Sequence, residues 1–376
     1  MKKVVFVANR GYALKSSREK LISNFLENGF EVLLLTTKDD YSKSLLVTGV
    51  ALEEINVNRG GLRIFNDIKL LLKMLYVYRK HRPVLIHHFH AKPVILGTIA
   101  ARLSLGKNVK IVNSITGLGH AFITGGWIRS LAIRGYKIAL NLSDAVIFQN
   151  IDDKNLFIDH KWLPEPKSHL IVSSGVDTYR FPYVGNTEAK NPDQLNVLMV
   201  GRLIGQKGVF EYISAASIVR ARYPNVKFLL AGEFDKFHPD SIDDDELQNA
   251  IDSQTIEYLG YISDMPKMLR DIDIFVLPSY REGVPRAVLE AASSGIPSVG
   301  ADVPGTREAI RNTETGYLVE VRNSALLVSA IEKLVSSKEL RVAMGEAARN
   351  MAVREFDINV IITQHFSLYK SLGIVE

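Results

Sequence analysis

The chain contains no cysteine among its 376 residues. Disulfide bridges, zinc–thiolate sites and thiol nucleophiles are therefore excluded, which fits a reducing compartment. Uncharged apolar runs of about 18 residues, the length of a membrane span, are also missing. The longest candidate, Ile68–Lys80, is interrupted by charged residues, and the N-terminus turns polar too early for a secretory signal. A cytoplasmic protein without a membrane-spanning segment is the expectation.

Two kinds of motif are missing as well. No paired-cysteine finger, aromatic RNA-binding strand or basic low-complexity tail is present, so nucleic acid is not an expected partner. The stretch "ANRGYALKSS" after the first predicted strand holds one glycine, Gly11, where a dinucleotide fingerprint has three. A nicotinamide dehydrogenase is therefore disfavoured, although Gly11 still allows a ligand to approach the backbone closely.

Positive charge is concentrated in the first half of the chain. Residues 1–176 hold 25 Lys and Arg against 13 Asp and Glu, a net charge of +12. Residues 177–376 hold 21 against 28, a net charge of −7. A basic half favours phosphates or an anionic membrane surface as partners, with an ordinary solvated surface as the alternative.

Apolar strand-like runs alternate with amphipathic helical segments along both halves. This pattern predicts an α/β protein with two doubly wound parallel sheets in tandem. The polar, Gly- and Pro-containing stretch Ser173–Gln194 separates them, which gives domains 1–176 and 177–376. The last helical segment, about 358–372, can pack on either domain.

Chemistry in such folds lies in the loops after the strands. In "VGRLIGQKG" (Val200–Gly208), Arg202 follows a predicted strand and Lys207 precedes a helix. Two cations on a glycine-containing loop at a helix N-terminus can bind one diphosphate. Two solvated cations on a turn are the alternative.

A pair of glutamates brackets the next loop, "SYREGVPRAVLEAASSG" (Ser279–Gly295). Pro285 suits the first turn of a helix, which places Glu282 before the helix and Glu290 within it. A carboxylate accepts two hydroxyl donors at once, so Glu290 can hold a ribose diol and Glu282 can accept sugar hydroxyls. Solvated helix charges are the alternative.

Three histidines stand in "HHFHAKP" (His87–Pro93). His88 and His90 would share one face of a strand, but no carboxylate is fixed nearby, so a metal site is not expected. These histidines and Lys92 are expected to line a polar cleft, with burial in the core as the alternative. In the next loop, "TGLGHAF" (Thr116–Phe122), His120 is a candidate for contacting a sugar.

Together these motifs resemble glycosyltransferase family 4, whose members have the GT-B fold and retain anomeric configuration. The resemblance covers essentially the whole chain and rests on the E-x7-E pattern Glu282–Glu290, the "GR…KG" loop and "VSSGVDTYRF". It implies two Rossmann-like domains facing across a cleft, with acceptor bound by 1–176 and nucleotide sugar by 177–376. Neither a metal nor another cofactor is implied.

The resemblance also assigns roles. Arg202 and Lys207 would stabilise the donor diphosphate. Glu290 would hold the ribose, and Glu282 with His120 would position the transferred sugar. Further donor contacts are implied for Gly283, Val284, Gly260 and Ile262, and we add Gly11 as a donor-binding candidate.

One departure narrows the resemblance. Many members read E-G-F-G where this chain reads "EGVPR", a variant that resembles the subgroup extending undecaprenyl-diphosphate-linked sugars. Arg286 would then bind the acceptor diphosphate, with an exposed residue at the start of the helix as the alternative. We place Lys92 and His90 with it as acceptor-binding candidates. The basic first domain and the helix near Ile68–Lys80 would suit the inner face of the plasma membrane, with an ordinary amphipathic core helix as the alternative.

The expected function is retaining transfer of a hexose or N-acetylhexosamine from a UDP-sugar to a polyprenyl-diphosphate-linked saccharide. A glycosyltransferase of the same fold with a soluble acceptor is the nearest alternative. A nucleotide-sugar epimerase would lack the E-x7-E loop, and a non-enzymatic nucleotide-binding scaffold would be expected to lose the charged residues.

Overall fold

The computed structural model describes residues 1–46, 48–57, 63–118, 126–185, 194–234 and 240–376, with only the backbone of 126–128. The chain forms two compact units. The first comprises Met1–Ser174 with Ile361–Glu376, and the second comprises Gly175–Val360.

The first unit is built on a parallel sheet of seven strands in the order β3-β2-β1-β4-β5-β6-β7. Its strands are β1 (Lys3–Val7), β2 (Glu31–Thr36), β3 (Ala51–Glu54), β4 (Leu85–Phe89), β5 (Lys110–Ile115), β6 (Ala145–Phe148) and β7 (Ser168–Leu170). Its helices are α1 (Gly11–Glu27), α2 (Asp40–Leu46), α3 (Ile64–His81), α4 (Thr98–Leu105), α5 (Gly126–Leu142) and α6 (Ile151–Asp159).

Both faces of this sheet are buried, and β1 shows why its sequence is continuously apolar. Val4 and Phe6 enter one hydrophobic core, whereas Val5 and Val7 enter the core on the other face. Successive side chains of a strand point to opposite faces, so a central parallel strand covered on both sides needs apolar residues throughout.

The second unit has a six-stranded parallel sheet in the order β10-β9-β8-β11-β12-β13. Its strands are β8 (Leu195–Val200), β9 (Val226–Ala231), β10 (Glu257–Gly260), β11 (Ile274–Leu277), β12 (Ser298–Ala301) and β13 (Gly316–Val319). Its helices are α7 (Val209–Arg222), α8 (Asp244–Asp252), α9 (Met265–Leu269), α10 (Arg286–Ser293), α11 (Thr306–Ala309), α12 (Ser324–Ser336) and α13 (Lys338–Met351). The direction of winding reverses at β8 and β11, the position where doubly wound sheets bind ligands.

The last helix, α14 (Ile358–Ser371), belongs mainly to the first unit. Phe366 packs against Phe25 with ring centroids 5.1 Å apart, and Tyr369 lies in the same core. Residues 361–376 therefore belong to the first unit, one of the two placements expected for this helix, because their apolar face completes the first core.

The predicted α/β class with two doubly wound sheets is confirmed, but two edge strands were not predicted. β7 has three residues and β13 has four, and both stand at the ends of their sheets.

Candidate active site

The loop after β8 is held rigidly against the end of β11. Gly205–Lys207 forms a single 3-10 turn, and Gly208 follows with a φ of +77°. A Cβ on Gly208 would lie 2.3 Å from the carbonyl oxygen of Pro278, so no other residue fits. The Tyr280 amide also donates to the Gln206 carbonyl at 2.9 Å. The sequence "GQKG" thus fixes the place of Lys207.

Lys207 and Glu282, predicted from separate loops, meet in an ion pair. The Nζ of Lys207 lies 2.5 Å from Oε1 of Glu282, and their side chains are 23% and 12% exposed. Partial burial makes the pair sensitive to the loss of either member, since the remaining charge would lack a partner. The pair stands at the carboxyl ends of β8 and β11, where the sheet reverses its winding.

Arg202 lies on the same loop as Lys207 and is exposed. No ion pair of its guanidinium occurs within the described ranges of the chain. An exposed arginine with five donors can reach a phosphate in solvent. Its role at a diphosphate stays a prediction.

The second glutamate forms a further ion pair on α10. Nη2 of Arg286 lies 2.9 Å from Oε1 of Glu290, one helical turn away. Pro285 is the N-cap and the helix begins at Arg286, so the expectation that Pro285 occupies the first turn is wrong by one residue. Its φ of −72° and ψ of +111° are the extended conformation of a residue preceding the helix.

Burial raises the pKa of Glu290, and the positive charges of Arg286 and Arg180 oppose this rise. A carboxylate removed from water loses hydration of its charged form, whereas a neighbouring cation favours that form. The charge of Arg286 thus favours the ionised form of Glu290, an effect that is separate from the predicted acceptor contact.

The backbone of Glu282–Gly283 packs closely against the backbone of Gly305. Gly305 has a φ of +84°, and a Cβ there would lie 1.7 Å from the Gly283 carbonyl oxygen. The Gly305 amide donates to Oε2 of Glu308 at 2.8 Å. Val284 is buried next to Gly283. Two loops therefore cross in close backbone contact at the predicted donor-binding residues.

The ends of β8, β9 and β10 are joined by glycines. The Gly232 amide donates to the Gly260 carbonyl at 2.8 Å. A Cβ on Gly232 would meet the Gly201 carbonyl oxygen at 1.7 Å. Gly260, with a φ of +63°, and the half-buried Ile262 thus lie at the same edge of the sheet as Lys207. Their contact with a nucleotide stays a prediction.

In the first unit, the backbone of Gly11 contacts the side chain of Asp39. Its amide donates to Oδ2 of Asp39 at 3.0 Å, and a Cβ would lie 2.1 Å from Oδ1 of the same carboxylate. Asp39 also accepts from the Ser42 amide at 2.7 Å. The close approach that glycine permits here is made by Asp39, and the predicted donor contact of Gly11 has no further support.

His87 and His88 are core residues and do not line a polar cleft. His87 bonds Tyr369 and Ser114 at 2.8 and 2.7 Å, and His88 bonds Tyr78 and Asn113 at 3.0 and 2.9 Å. Burial lowers the pKa of both rings, that of His88 to about 3. The expectation that histidines 88 and 90 share a strand face is wrong, because β4 ends at Phe89.

The structure does not bring the remaining candidates of the first unit, His90 and Lys92, into contact with each other. His90 follows β4 with a φ of +71° and is half-buried. Nζ of Lys92 lies 2.7 Å from Oδ1 of Asp67 on α3. His120 lies outside the described residues. Within the described part of the chain, no group of three or more His, Asp or Glu is placed to hold a metal ion.

Two site residues were not predicted. Asp240 accepts from the Gln206 amide at 2.7 Å through Oδ2, while its carbonyl accepts from the Gly205 amide at 2.7 Å. Arg180 acts electrostatically on Glu290 from a distant part of the sequence. Both act through tertiary contacts, and no local pattern in the sequence indicates them.

Comparison with known proteins defines the class of this protein. A Campylobacter jejuni enzyme, N,N'-diacetylbacillosaminyl-diphospho-undecaprenol alpha-1,3-N-acetylgalactosaminyltransferase, is 27% identical over 380 residues, covering 98% of each chain. The Escherichia coli UDP-Gal:alpha-D-GlcNAc-diphosphoundecaprenol alpha-1,3-galactosyltransferase is 26% identical, covering 79% of this chain and 78% of its own. The crystal structure of Anabaena HepE in complex with UDP has a TM-score of 0.80 at 17% identity, covering 99% and 100% of the two chains.

Two family models match complementary parts of the chain. "Glycosyl transferase 4-like" matches residues 3–150, and "Glycosyl transferases group 1" matches residues 186–351. The fold and these family matches define a glycosyltransferase of the GT-B class. The chain therefore consists of a glycosyl transferase 4-like domain followed by a glycosyl transferases group 1 domain, which confirms the resemblance drawn from Glu282, Glu290 and the Lys207 loop.

Proposed function

We propose that this glycosyltransferase moves a hexose or N-acetylhexosamine, with retention, from a UDP-sugar to a polyprenyl-diphosphate-linked saccharide. The observation that carries the proposal is the Lys207–Glu282 pair at the reversal of the second sheet, with Glu290 on the helix that follows. One cation and two carboxylates at a strand edge suit a ligand that has both a diphosphate and hydroxyl groups.

The residues divide the work of catalysis in this proposal. Lys207 and Arg202 neutralise the charge that develops on the leaving diphosphate, which is the largest contribution expected of a preorganised site. Glu290 holds the ribose, and Glu282 accepts hydroxyls of the transferred sugar. The leaving phosphate removes the acceptor proton on the same face, so retention needs no nucleophile from the chain. The two cations supply the charge that a metal would otherwise provide.

The acceptor and nucleotide are supported by the names of similar proteins. The Campylobacter jejuni and Escherichia coli relatives are named for diphosphoundecaprenol-linked acceptors, and the second for UDP-galactose. HepE binds UDP in its crystal structure. At 27% identity or less, the donor sugar and the linkage do not carry over.

A donor screen in the presence of EDTA tests the proposal. The purified protein is incubated with UDP-, GDP- and ADP-sugars and a synthetic polyprenyl-diphosphate sugar, and nucleotide release and product mass are read together. We expect release from one UDP-sugar and a lipid product heavier by one sugar. Release without a lipid product would favour a soluble acceptor. Binding of nucleotide without any release would favour a non-enzymatic scaffold, and epimerised sugar would favour an epimerase.

We further propose that the protein docks on the inner face of the plasma membrane through α3. Five large apolar side chains form an exposed stripe on this helix: Ile64, Phe65, Ile68, Leu72 and Tyr76. Phe65 is 83% exposed and Leu72 is 58% exposed. Such a stripe is unusual on a protein surface and marks an interaction site. No helix within the described ranges is long and apolar enough to cross a membrane.

The charges around the stripe favour an anionic surface. Lys69, Arg63 and Arg79 are exposed, while Lys73 and Lys80 pair with Glu53. An amphipathic helix with apolar and basic side chains lies in the plane of the bilayer interface, and each basic residue adds about 1 kcal/mol on anionic lipid.

Replacing both Ile68 and Leu72 with glutamate is expected to lower vesicle binding by at least about 10-fold, since each lost apolar side chain contributes about 1.5–3 kcal/mol when buried. Cosedimentation with phosphatidylglycerol–phosphatidylethanolamine vesicles measures the change. Leu326→Glu, at an exposed apolar position of α12, is the control. Equal binding by the double variant and the unchanged protein would contradict the docking proposal.

Arg286→Met is expected to weaken UDP binding most at low pH. The pKa of Glu290 is raised by burial, so its carboxylate ionises, and becomes the better ribose acceptor, only as pH rises through that raised value. Loss of Arg286 raises the pKa of Glu290 further, so the rise of UDP affinity with pH moves to higher pH. Calorimetry measures the Kd for UDP of the variant and of the unchanged protein across pH. Because titration of UDP affects both constants equally, it cancels in their ratio.

Arg270→Met, at an exposed position of the same unit, is the control for this experiment. A Kd ratio independent of pH would contradict the effect on Glu290. Unchanged UDP binding with a raised KM for the lipid-linked acceptor would instead support the predicted acceptor contact of Arg286.

A further inference from the structure

Tyr280 lies in the loop after β11, shortly before Glu282, and holds the segment that carries Lys207 at two points. Its amide donates to the Gln206 carbonyl at 2.9 Å, and its hydroxyl donates to Oε1 of Glu211 at 2.7 Å. Gln206 directly precedes Lys207, and Glu211 lies in the first turn of α7, just after the Lys207 loop. Two hydrogen bonds from one residue therefore fix the chain on both sides of Lys207.

The hydroxyl bond is the stronger of the two contacts because its acceptor is a carboxylate. Tyr280 and Glu211 are both half-buried. Oε2 of Glu211 has no hydrogen bond in the part of the chain that the structure describes. Hydrogen bonds to charged groups contribute more than those between neutral groups, and a poorly hydrated carboxylate that loses its donor is destabilised. The tyrosine hydroxyl thus supplies a bond that a phenylalanine could not replace.

A cation packs on the ring of Tyr280. Cζ of Arg322, in the loop after β13, lies 4.6 Å from the centroid of this ring. A guanidinium over an aromatic face is attracted by the negative charge of the π-system. Arg322 has a φ of +61°, a left-handed conformation that non-glycine residues adopt uncommonly and that the surrounding structure must maintain. Segments that follow β8 and β13 therefore both hold the Tyr280 side chain.

The chemistry of the phenol limits what Tyr280 can do. Burial and the hydrogen bond to Glu211 raise the pKa of Tyr280 to about 12, and the charge of Arg322 opposes this rise. The hydroxyl therefore remains protonated near pH 7 and donates a hydrogen bond, but it does not act as a base.

We propose that Tyr280 is a positioning residue for the Lys207–Glu282 pair and that Glu211 and Arg322 hold its side chain in place. Tyr280 acts on both members through the backbone, since it precedes Glu282 in one loop and is bonded to both sides of Lys207 in the other. Its effect on turnover rests on the proposed glycosyl transfer, in which Lys207 stabilises charge on the leaving diphosphate.

Tyr280→Phe removes the hydroxyl and keeps the ring beside Arg322. We expect kcat to fall by about 10-fold, because loss of this hydrogen bond lets the Lys207 segment move and turnover is sensitive to small displacements. KM for the lipid-linked acceptor should stay unchanged, since the change affects charge stabilisation at the donor diphosphate. Steady-state kinetics with the donor found in the screen measures both constants.

Variants of Glu211 distinguish positioning from packing. Glu211→Gln keeps an oxygen that accepts from the hydroxyl and should retain most of the turnover, whereas Glu211→Leu should lose as much as Tyr280→Phe. Because the two side chains form one contact, combining Tyr280→Phe with Glu211→Leu should lower kcat no further than either change alone.

Tyr317→Phe is the matched control, because Tyr317 is a half-buried tyrosine of the same unit with Nζ of Lys333 5.1 Å from its ring centroid. It is expected to leave kcat unchanged. Normal kcat in Tyr280→Phe, or losses that simply multiply in the double variant, would overturn the positioning role.

Hydrogen exchange of the full chain without ligand tests the positioning independently of any reaction. The amides of Lys207 and Gly208 donate to the carbonyls of Ile204 and Gly205 within the turn that Tyr280 holds. In Tyr280→Phe, we expect exchange in peptides covering 205–212 to quicken by about 10-fold, while peptides of β9 keep their rate.

The exchange result separates this inference from the proposed transfer. Unchanged exchange over 205–212, or equal quickening in β9, would show that the hydroxyl does not hold the Lys207 turn and would overturn the inference. If the protein turned over no donor, the proposed transfer would fail, and quicker exchange confined to 205–212 would still support the tether.

Discussion

Replacing Lys207 with alanine is expected to lower kcat by about 10²–10³-fold, the usual cost of removing one group that stabilises developing charge. Its Nζ lies at the reversal point of the second sheet, in a loop fixed by Gly208 and by the Tyr280 amide. In the proposed reaction, a cation at this place neutralises the leaving diphosphate. Steady-state kinetics with the donor found in the screen measures the loss.

The interpretation depends on separating catalysis from folding. Lys207→Ala leaves Glu282 without its 2.5 Å partner, and an unpaired, poorly exposed carboxylate is destabilising. Combining Lys207→Ala with Glu282→Gln removes that cost, and thermal unfolding should then return toward the original midpoint while kcat stays low. Lys227→Ala, at an exposed position on β9, is the matched control. Near-normal kcat in Lys207→Ala would contradict the catalytic role.

Most of the architecture could be predicted because the buried strands are continuous apolar runs. β1 and β2 read as strands since both of their faces are covered, and the alternation with helices then implies parallel sheets. Helix α14 was harder to place. Its apolar face indicates burial, but only the tertiary contact of Phe366 with Phe25 decides which core it completes.

The site could be predicted where motif spacing and strand ends coincide. Glu282, Glu290 and Lys207 each follow a strand, and the structure brings Lys207 and Glu282 into contact. The histidines show the limit of this reasoning. His87 and His88 satisfy their ring nitrogens with Tyr369, Ser114, Tyr78 and Asn113, and these partners are scattered along the sequence.

Gly305→Ala is expected to lower both stability and activity, although Gly305 has no side chain that could contact a substrate. Its φ of +84° is strained for alanine, which costs about 1–2 kcal/mol. The added Cβ would also lie 1.7 Å from the Gly283 carbonyl oxygen and 2.7 Å from that of Glu282. Backbone atoms cannot rotate away as a flexible side chain can, so the Glu282–Gly283 loop must move.

A displacement of about 1 Å in a positioning loop can lower turnover by about 100-fold. Thermal unfolding and kcat are therefore measured together, with Gly29→Ala as the matched control. Gly29 has a similar φ of +76°, but a Cβ there meets nothing within 4 Å. Gly29→Ala should lose stability from strain alone and keep its kcat. If Gly305→Ala also keeps its kcat, the exact position of Glu282 is unimportant, and the carboxylate would not contact the transferred sugar. Loss of turnover in Gly305→Ala alone would support the proposal that the close crossing of the two loops holds Glu282 against the transferred sugar.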